Sequence, residues 1–144
     1  MKRFKKMWWL YALLSAMFAA LTAIFAKVGI KGVDSDLATA IRTVVILILA
    51  WGIVLFRGGS HGLLSLTKLN IFFLCLSGVA TGLSWIFYFK ALEIGKVSQV
   101  APVDKLSVAI VILLSVIFLG EKISIQGFIG AGLIIIGTIV LIKS

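Results

Sequence analysis

The chain is predicted to be an all-α integral membrane protein with five transmembrane helices, and three observations point there. Of its 144 residues 62% are hydrophobic, where a soluble domain carries about 45–50%. Its mean hydropathy is +1.22. Its apolar residues gather into five long runs whose edges, far more than their interiors, carry Lys and Arg. The runs place helices at about 7–28, 37–56, 69–89, 98–119 and 125–142, and a rise of 1.5 Å per residue makes each roughly 27–33 Å long, the thickness of the hydrocarbon core. Residues 1–144 are read as one domain, and the short connections make consecutive helices antiparallel neighbours.

The first run follows MKRFKK, a start like that of a signal peptide, but exceeds the roughly 7–15 apolar residues of a signal sequence and reads as a retained helix. Trp8, Trp9 and Tyr11 fit an aromatic belt, and Ser15, Ala19, Thr22 and Ala26 share a small-residue face suited to helix contact. The second run carries Arg42 about five residues in, roughly 7–8 Å below its start. The connection 57–68 reads as an ordinary loop with a solvated His61.

In the third run Ser77, Thr81, Ser84 and Tyr88 fall at i, i+4, i+7 and i+11, one helical face that either lines a hydrophilic path or bonds neighbouring helices. Gly78 and Gly82 form a small-xxx-small pair for close packing, and Trp85 stands between the two faces as a packing residue or a pocket wall. Cys75 has no partner for a disulfide or a zinc site and reads as a buried packing residue. Lys27 and Lys90 end the first and third runs, where snorkelling to headgroups is the plain expectation.

The fourth run, within the segment APVDKLSVAIVILLSVIFLGEK at 101–122, is the most informative. Asp104 and Lys105 lie about 9–10 Å inside it, and Pro102 either starts the helix or frees a carbonyl and kinks it. A charge at a helix centre costs roughly 2.5–3.5 kcal/mol to insert, so such residues are paired, solvated by a cavity or bound to a substrate. In an alternating layout Lys27, Arg42, Lys90, Asp104 and Lys105 all fall toward one membrane face. Either Arg42 and Asp104 form a structural salt bridge, or Arg42 and Lys105 draw an anionic group into a polar cavity with Asp104 as partner. Asp104, Ser107 or Val108, Val111 and Ser115 would carry that polar path inward. The fifth run, with Gly127, Gly130 and Gly137 on one stripe, reads as a packing or dimerisation helix.

The formal charge of +9 does not imply nucleic acid, because the basic residues edge the apolar runs and form no patch. No Walker motif is present, and no His, Asp or Glu set suits a metal or a carboxylate-pair enzyme; neither enzymatic activity nor a cofactor is expected. One side of the layout collects Lys2, Arg3, Lys5, Lys6, Arg57, Lys68 and Lys122, the other Lys27, Lys31, Lys90, Lys96 and Lys143. The N-terminal cluster favours a cytoplasmic N-terminus in a cell membrane, while a seven-to-five split leaves room for dual topology.

Residues 88–141 resemble the second half of an EamA domain of the drug/metabolite transporter superfamily: Ala91-Leu92 after an aromatic run, Pro102, Gly120-Glu121-Lys122 and a glycine-rich last helix. Phe25-Ala26-Lys27-x-Gly29 and Arg42 are similar to its first half. The small multidrug resistance exporters match in size, but the first run lacks the acidic residue they need. The resemblance implies a short, five-helix single-repeat member, working as a homodimer of inverted repeats around a central cavity. It implies a secondary transporter exporting a small-molecule metabolite by alternating access among membrane lipids. The expected substrate-binding residues are Arg42, Asp104, Lys105, Ser77, Thr81, Ser84, Trp85 and Tyr88. Pro102, Gly78, Gly82 and Glu121 are expected to be structural or gating, Glu121 through a cap or a pair with Lys122. Alternative readings are a lipid-carrier flippase or its accessory subunit, and a non-transporting scaffold.

Overall fold

The computed structural model describes residues 8–143, which are helical with no strand among them. Helix α1 is Trp8–Gly29, α2 Ser35–Phe56, α3 Lys68–Ile94, α4 Val97–Asp104, α5 Leu106–Leu119 and α6 Ile125–Ile142. Among the described residues five spans are long and apolar enough to cross a membrane, α4 and α5 together forming one of them over Val97–Leu119. The basic cluster before Trp8 lies outside the described residues.

The boundaries follow local chemistry. The turn after α1 passes through Gly32 at φ 74°, a left-handed conformation that disfavours other residues. Asp34 then caps α2, its Oδ1 accepting from the backbone N–H of Asp36 and Leu37 at 3.0 Å each. Ser124 caps α6, its Oγ accepting from the Gly127 N–H at 3.2 Å. Gly120, at φ 65°, ends α5.

Two expectations about the elements are corrected, and one left open is decided. The connection between α2 and α3 is not a plain loop: Gly58 turns left-handed and Gly59–Ser65 winds as a 3₁₀ segment. The side chains of His61 and Leu64 lie outside the described residues. Helix α3 runs on to Ile94, so Lys90 lies one turn inside it and not at its end. Of the two roles open to Pro102 the interrupting one holds, and the fourth span is broken at Lys105. Pro102 is the sixth residue of α4, too deep for a helix-starting role, and its ring nitrogen can donate nothing to the Ser98 carbonyl. Three residues on, the Lys105 N–H donates to the Pro102 carbonyl at 3.1 Å, and the Val108 N–H to the Lys105 carbonyl at 3.0 Å, tight three-residue turns in place of regular α bonds.

The chain divides into two compact units, Val28–Glu93 and Met1–Lys27 with Ile94–Ser144. In the second unit, α4 and α5 pack against α6. The packing is antiparallel, because Gln99 Nε2 donates to the Ile142 carbonyl at 3.3 Å while Thr138 Oγ1 reaches the Pro102 carbonyl at 3.2 Å. Gly127, Gly130, Ala131, Ile134 and the buried Thr138 make the covered face of α6. Gly137 is exposed and off that face. Ser115 belongs with Leu106, Ala109 and Ile112 to a partly covered row of α5 while Ser107, Val108 and Val111 are exposed, so the inward polar path expected from Asp104 to Ser115 is not one face.

In the first unit the buried residues are Ile30, Ser35, Thr39, Phe89 and Leu92. Ser35, Thr39 and Arg42 recur at i, i+4 and i+7 on α2, and Trp85, Phe89 and Leu92 at i, i+4 and i+7 on α3. Most other large apolar side chains of the spans are exposed, as befits helices whose solvent is lipid. Cys75 is among the exposed residues, against the expected buried packing role. On α1 the covered residues are Ala23 and Ala26, while Ser15 and Ala19 are exposed, so burial is confined to the C-terminal end of the expected contact face.

Candidate transport site

Burial along α2 sets the first candidate group. Asp34 starts the helix, Ser35 and Thr39 define its buried face, and Arg42 follows on that face about 10 Å along the axis from Ser35. Thr39 and Thr43 donate their hydroxyl hydrogens to the carbonyls four residues back at 2.8 Å.

The Arg42 guanidinium carbon lies 3.3 Å from the centroid of the Trp85 ring and 5.5 Å from that of Phe89. Trp85 is braced by edge-on contact with Tyr88, centroids 5.6 Å apart at 81°, and by Phe89 at 6.0 Å. The indole therefore covers one face of the cation. Such a contact contributes about 0.5–2 kcal/mol, less than the roughly 2.5–3.5 kcal/mol that an arginine costs at the centre of a membrane helix. The acidic residues of this unit do not make up the difference, because none of Asp34, Asp36 and Glu93 is within ion-pair distance of Arg42. No side-chain nitrogen or oxygen among the described residues is both fully buried and unpartnered, so the N–H groups of Arg42 are accessible at the ring's edge. A guanidinium with one face stacked and its donor fork open can take an oxyanion through two parallel hydrogen bonds.

The remaining α3 candidates run away from this pair along the helix. Ser77, Thr81 and Ser84 are exposed, and Tyr88 is partly covered. The Thr81 hydroxyl donates to the Ser77 carbonyl at 2.8 Å, which leaves its lone pairs as the group it can offer to a passing solute. A Cβ added at Gly78 or Gly82 would meet nothing within 4 Å, so no helix among the described residues uses them for close approach.

The other unit holds its charges differently. Lys105 Nζ lies 3.2 Å from Asp104 Oδ2, and the two side chains are 56% and 36% exposed. The pair sits at the break between α4 and α5, where the Pro102 carbonyl accepts from the Lys105 N–H and lies 3.2 Å from the Thr138 hydroxyl, whose single hydrogen is shared with the Ile134 carbonyl at 2.8 Å. Broken helices mark solute and ion paths in many transporters, since irregular backbone at membrane depth survives only where protein or water satisfies it. Lys27 does not merely snorkel: its Nζ donates to the Gly95 carbonyl at 2.8 Å, in the turn before α4. Glu121 contributes to the end of α5 through its backbone N–H, which donates to the Ser115 carbonyl at 3.3 Å. Neither a side-chain cap nor an ion pair with Lys122 is found among the described residues.

Two features were not anticipated from the residue pattern. The Arg42–Trp85 stack had a signal, in that Trp85, Tyr88 and Phe89 lie within one turn of α3. The Thr138–Pro102 bond joins groups 36 residues apart and had none.

The sequence matches the EamA-like transporter family over residues 6–143. The chain belongs to that family. Among relatives of this EamA protein is one from Sinorhizobium sp., named as an uncharacterized transporter in the cobO 3' region, 48% identical over 134 residues. The match covers 93% of this chain and 95% of the relative. No solved structure matches. Family membership and the five apolar helices together make this a multi-pass membrane protein of the drug/metabolite transporter kind.

Proposed function

We propose that the protein is a secondary-active transporter that exports a small metabolite by alternating access, as a homodimer in the cell membrane with a cytoplasmic N-terminus. The observation that carries this reading is Arg42, a cation inside a spanning helix that is stacked on Trp85 and has no carboxylate beside it in its unit. A purely structural charge would be compensated; this one is presented. Ser77, Thr81, Ser84, Trp85 and Tyr88 line the path along α3, and Asp104 and Lys105 mark a second polar station at the break between α4 and α5.

The dimer rests on uncovered surface. Gly78 and Gly82 face open space, a stripe on which another helix backbone can pack closely. A second copy, inserted in the opposite sense, supplies the inverted repeat that one copy lacks.

Purified protein in proteoliposomes, screened by counterflow against pooled organic acids, amines and neutral solutes, tests the transport reading. Flux of at least one solute class is expected, lost in Arg42→Gln and reduced in Asp104→Asn. Undiminished flux in both variants overturns the site, and no flux for any class overturns the transporter. Single-cysteine labelling at Ser60→Cys and Lys96→Cys in a Cys75→Ser background tests the antiparallel arrangement: each position is expected to label from both sides of the membrane.

A further inference from the structure

Three local observations bear on what the site binds. The Arg42 guanidinium is covered on one face by Trp85 at 3.3 Å, with Phe89 at 5.5 Å. Trp85 is itself fixed by Tyr88 and Phe89. No carboxylate of the same unit lies within ion-pair distance, and the N–H donors are not sealed from solvent. Lys105, the other cation that lies well inside a span, already holds a carboxylate at 3.2 Å.

We infer that the transported solute is an organic oxyanion, a carboxylate or phosphate, gripped by the in-plane donor fork of Arg42, and that Trp85 is a positioning residue for that fork. This rests on the transporter reading and names its substrate class. The chemistry follows from the geometry. Stacking against an indole fixes the guanidinium plane and removes one face from competition, so approach is left to the edge, where pairs of N–H groups match the two oxygens of a carboxylate or phosphate. A lysine at the same place would offer a point charge without that fork, a neutral solute would accept the hydrogen bonds without charge assistance, and a cationic solute would be repelled. Desolvation within the span strengthens the charge-assisted bonds and heightens the discrimination.

Equilibrium binding of radiolabelled benzoate and inorganic phosphate, with benzamide as the neutral isostere, tests this on the whole protein in phosphatidylcholine nanodiscs. Saturable binding of at least one oxyanion is expected, with benzamide about tenfold weaker or more. Arg42→Gln is expected to abolish that preference, and Arg42→Lys to weaken oxyanion binding about tenfold, because the fork is lost while the charge is kept. Trp85→Phe should stay within about threefold of the parent, while Trp85→Leu should lower the benzoate-to-benzamide ratio about tenfold at unchanged thermal stability, which a packing role alone would not do. Repeating the titration with phosphatidylglycerol in the discs separates the sources of the anion. If a lipid phosphate is the physiological occupant, the site is filled before probe is added and benzoate binding falls; if a free solute is, benzoate binding is unchanged.

Equal binding of benzoate and benzamide, or a full preference retained in Arg42→Gln, overturns the inference. Counterflow of amines alone overturns it while leaving the transporter reading intact, and Arg42-dependent oxyanion binding without any flux does the reverse.

Discussion

The two units of this chain each place a cation inside an apolar span and hold it in opposite ways. In Val28–Glu93, Arg42 leans on an aromatic ring and meets no carboxylate. In the other unit Lys105 sits beside Asp104 at a break in the helix. An adjacent acid neutralises its neighbour and leaves little net charge to offer a solute. A ring orients a cation without neutralising it. Presence of charge in a span is therefore a poor guide to function by itself; the partner decides whether the charge is held or offered.

The strongest way to break that contrast is to make Arg42 resemble Lys105. Trp85→Glu puts a carboxylate where the ring now lies 3.3 Å from the guanidinium. Oxyanion flux in proteoliposomes is expected to fall more than about tenfold while the protein still inserts, because the new pair satisfies both charges internally. Unchanged flux would show that the absence of a counter-charge is irrelevant.

A smaller effect is expected where the second unit braces its break. Thr138→Val removes the hydroxyl whose hydrogen the Pro102 and Ile134 carbonyls share and leaves volume nearly unchanged. The expected loss is about 1 kcal/mol, read as a lower midpoint of denaturant unfolding in micelles. No change would mean that the three-residue turn at Lys105 suffices to hold the break.

The smallest effect sharpens the comparison from the other side. Lys105→Gln strands the Asp104 carboxylate, and because both groups are well exposed to solvent the cost is only about 0.5 kcal/mol. Asp104→Asn combined with Lys105→Gln should recover most of it. A stability loss in the double variant larger than in the single one would show that the pair does more than cancel itself.

Much of this was legible in the residues. Hydropathy alone placed five spans, since burying backbone in lipid requires long apolar helices, and α2 and α6 fall within two residues of their expected limits. That Arg42, Asp104 and Lys105 fall within long apolar stretches was readable by counting residues. What escaped was whatever depends on a partner far along the chain. A proline can begin a helix or interrupt one, and only the position of Val97 as the first residue of α4 shows Pro102 to be internal. Lys27 had an anchor's position, yet it bonds the Gly95 carbonyl 68 residues away. Glu121 matched a motif, but its backbone and not its carboxylate closes the helix.

The amino-acid sequence by itself determined the fold class, the number of spans and the family, because each follows from composition and periodicity read locally. The tertiary structure decided what Arg42 rests against. Arg42 and Lys105 carry the same formal charge at comparable positions in their spans; the adjacent Asp104 was visible beside Lys105 in the sequence, whereas nothing beside Arg42 foretold its ring. A stacking contact acts over only a few ångströms, so this one exists only once α3 has brought Trp85 beside Arg42.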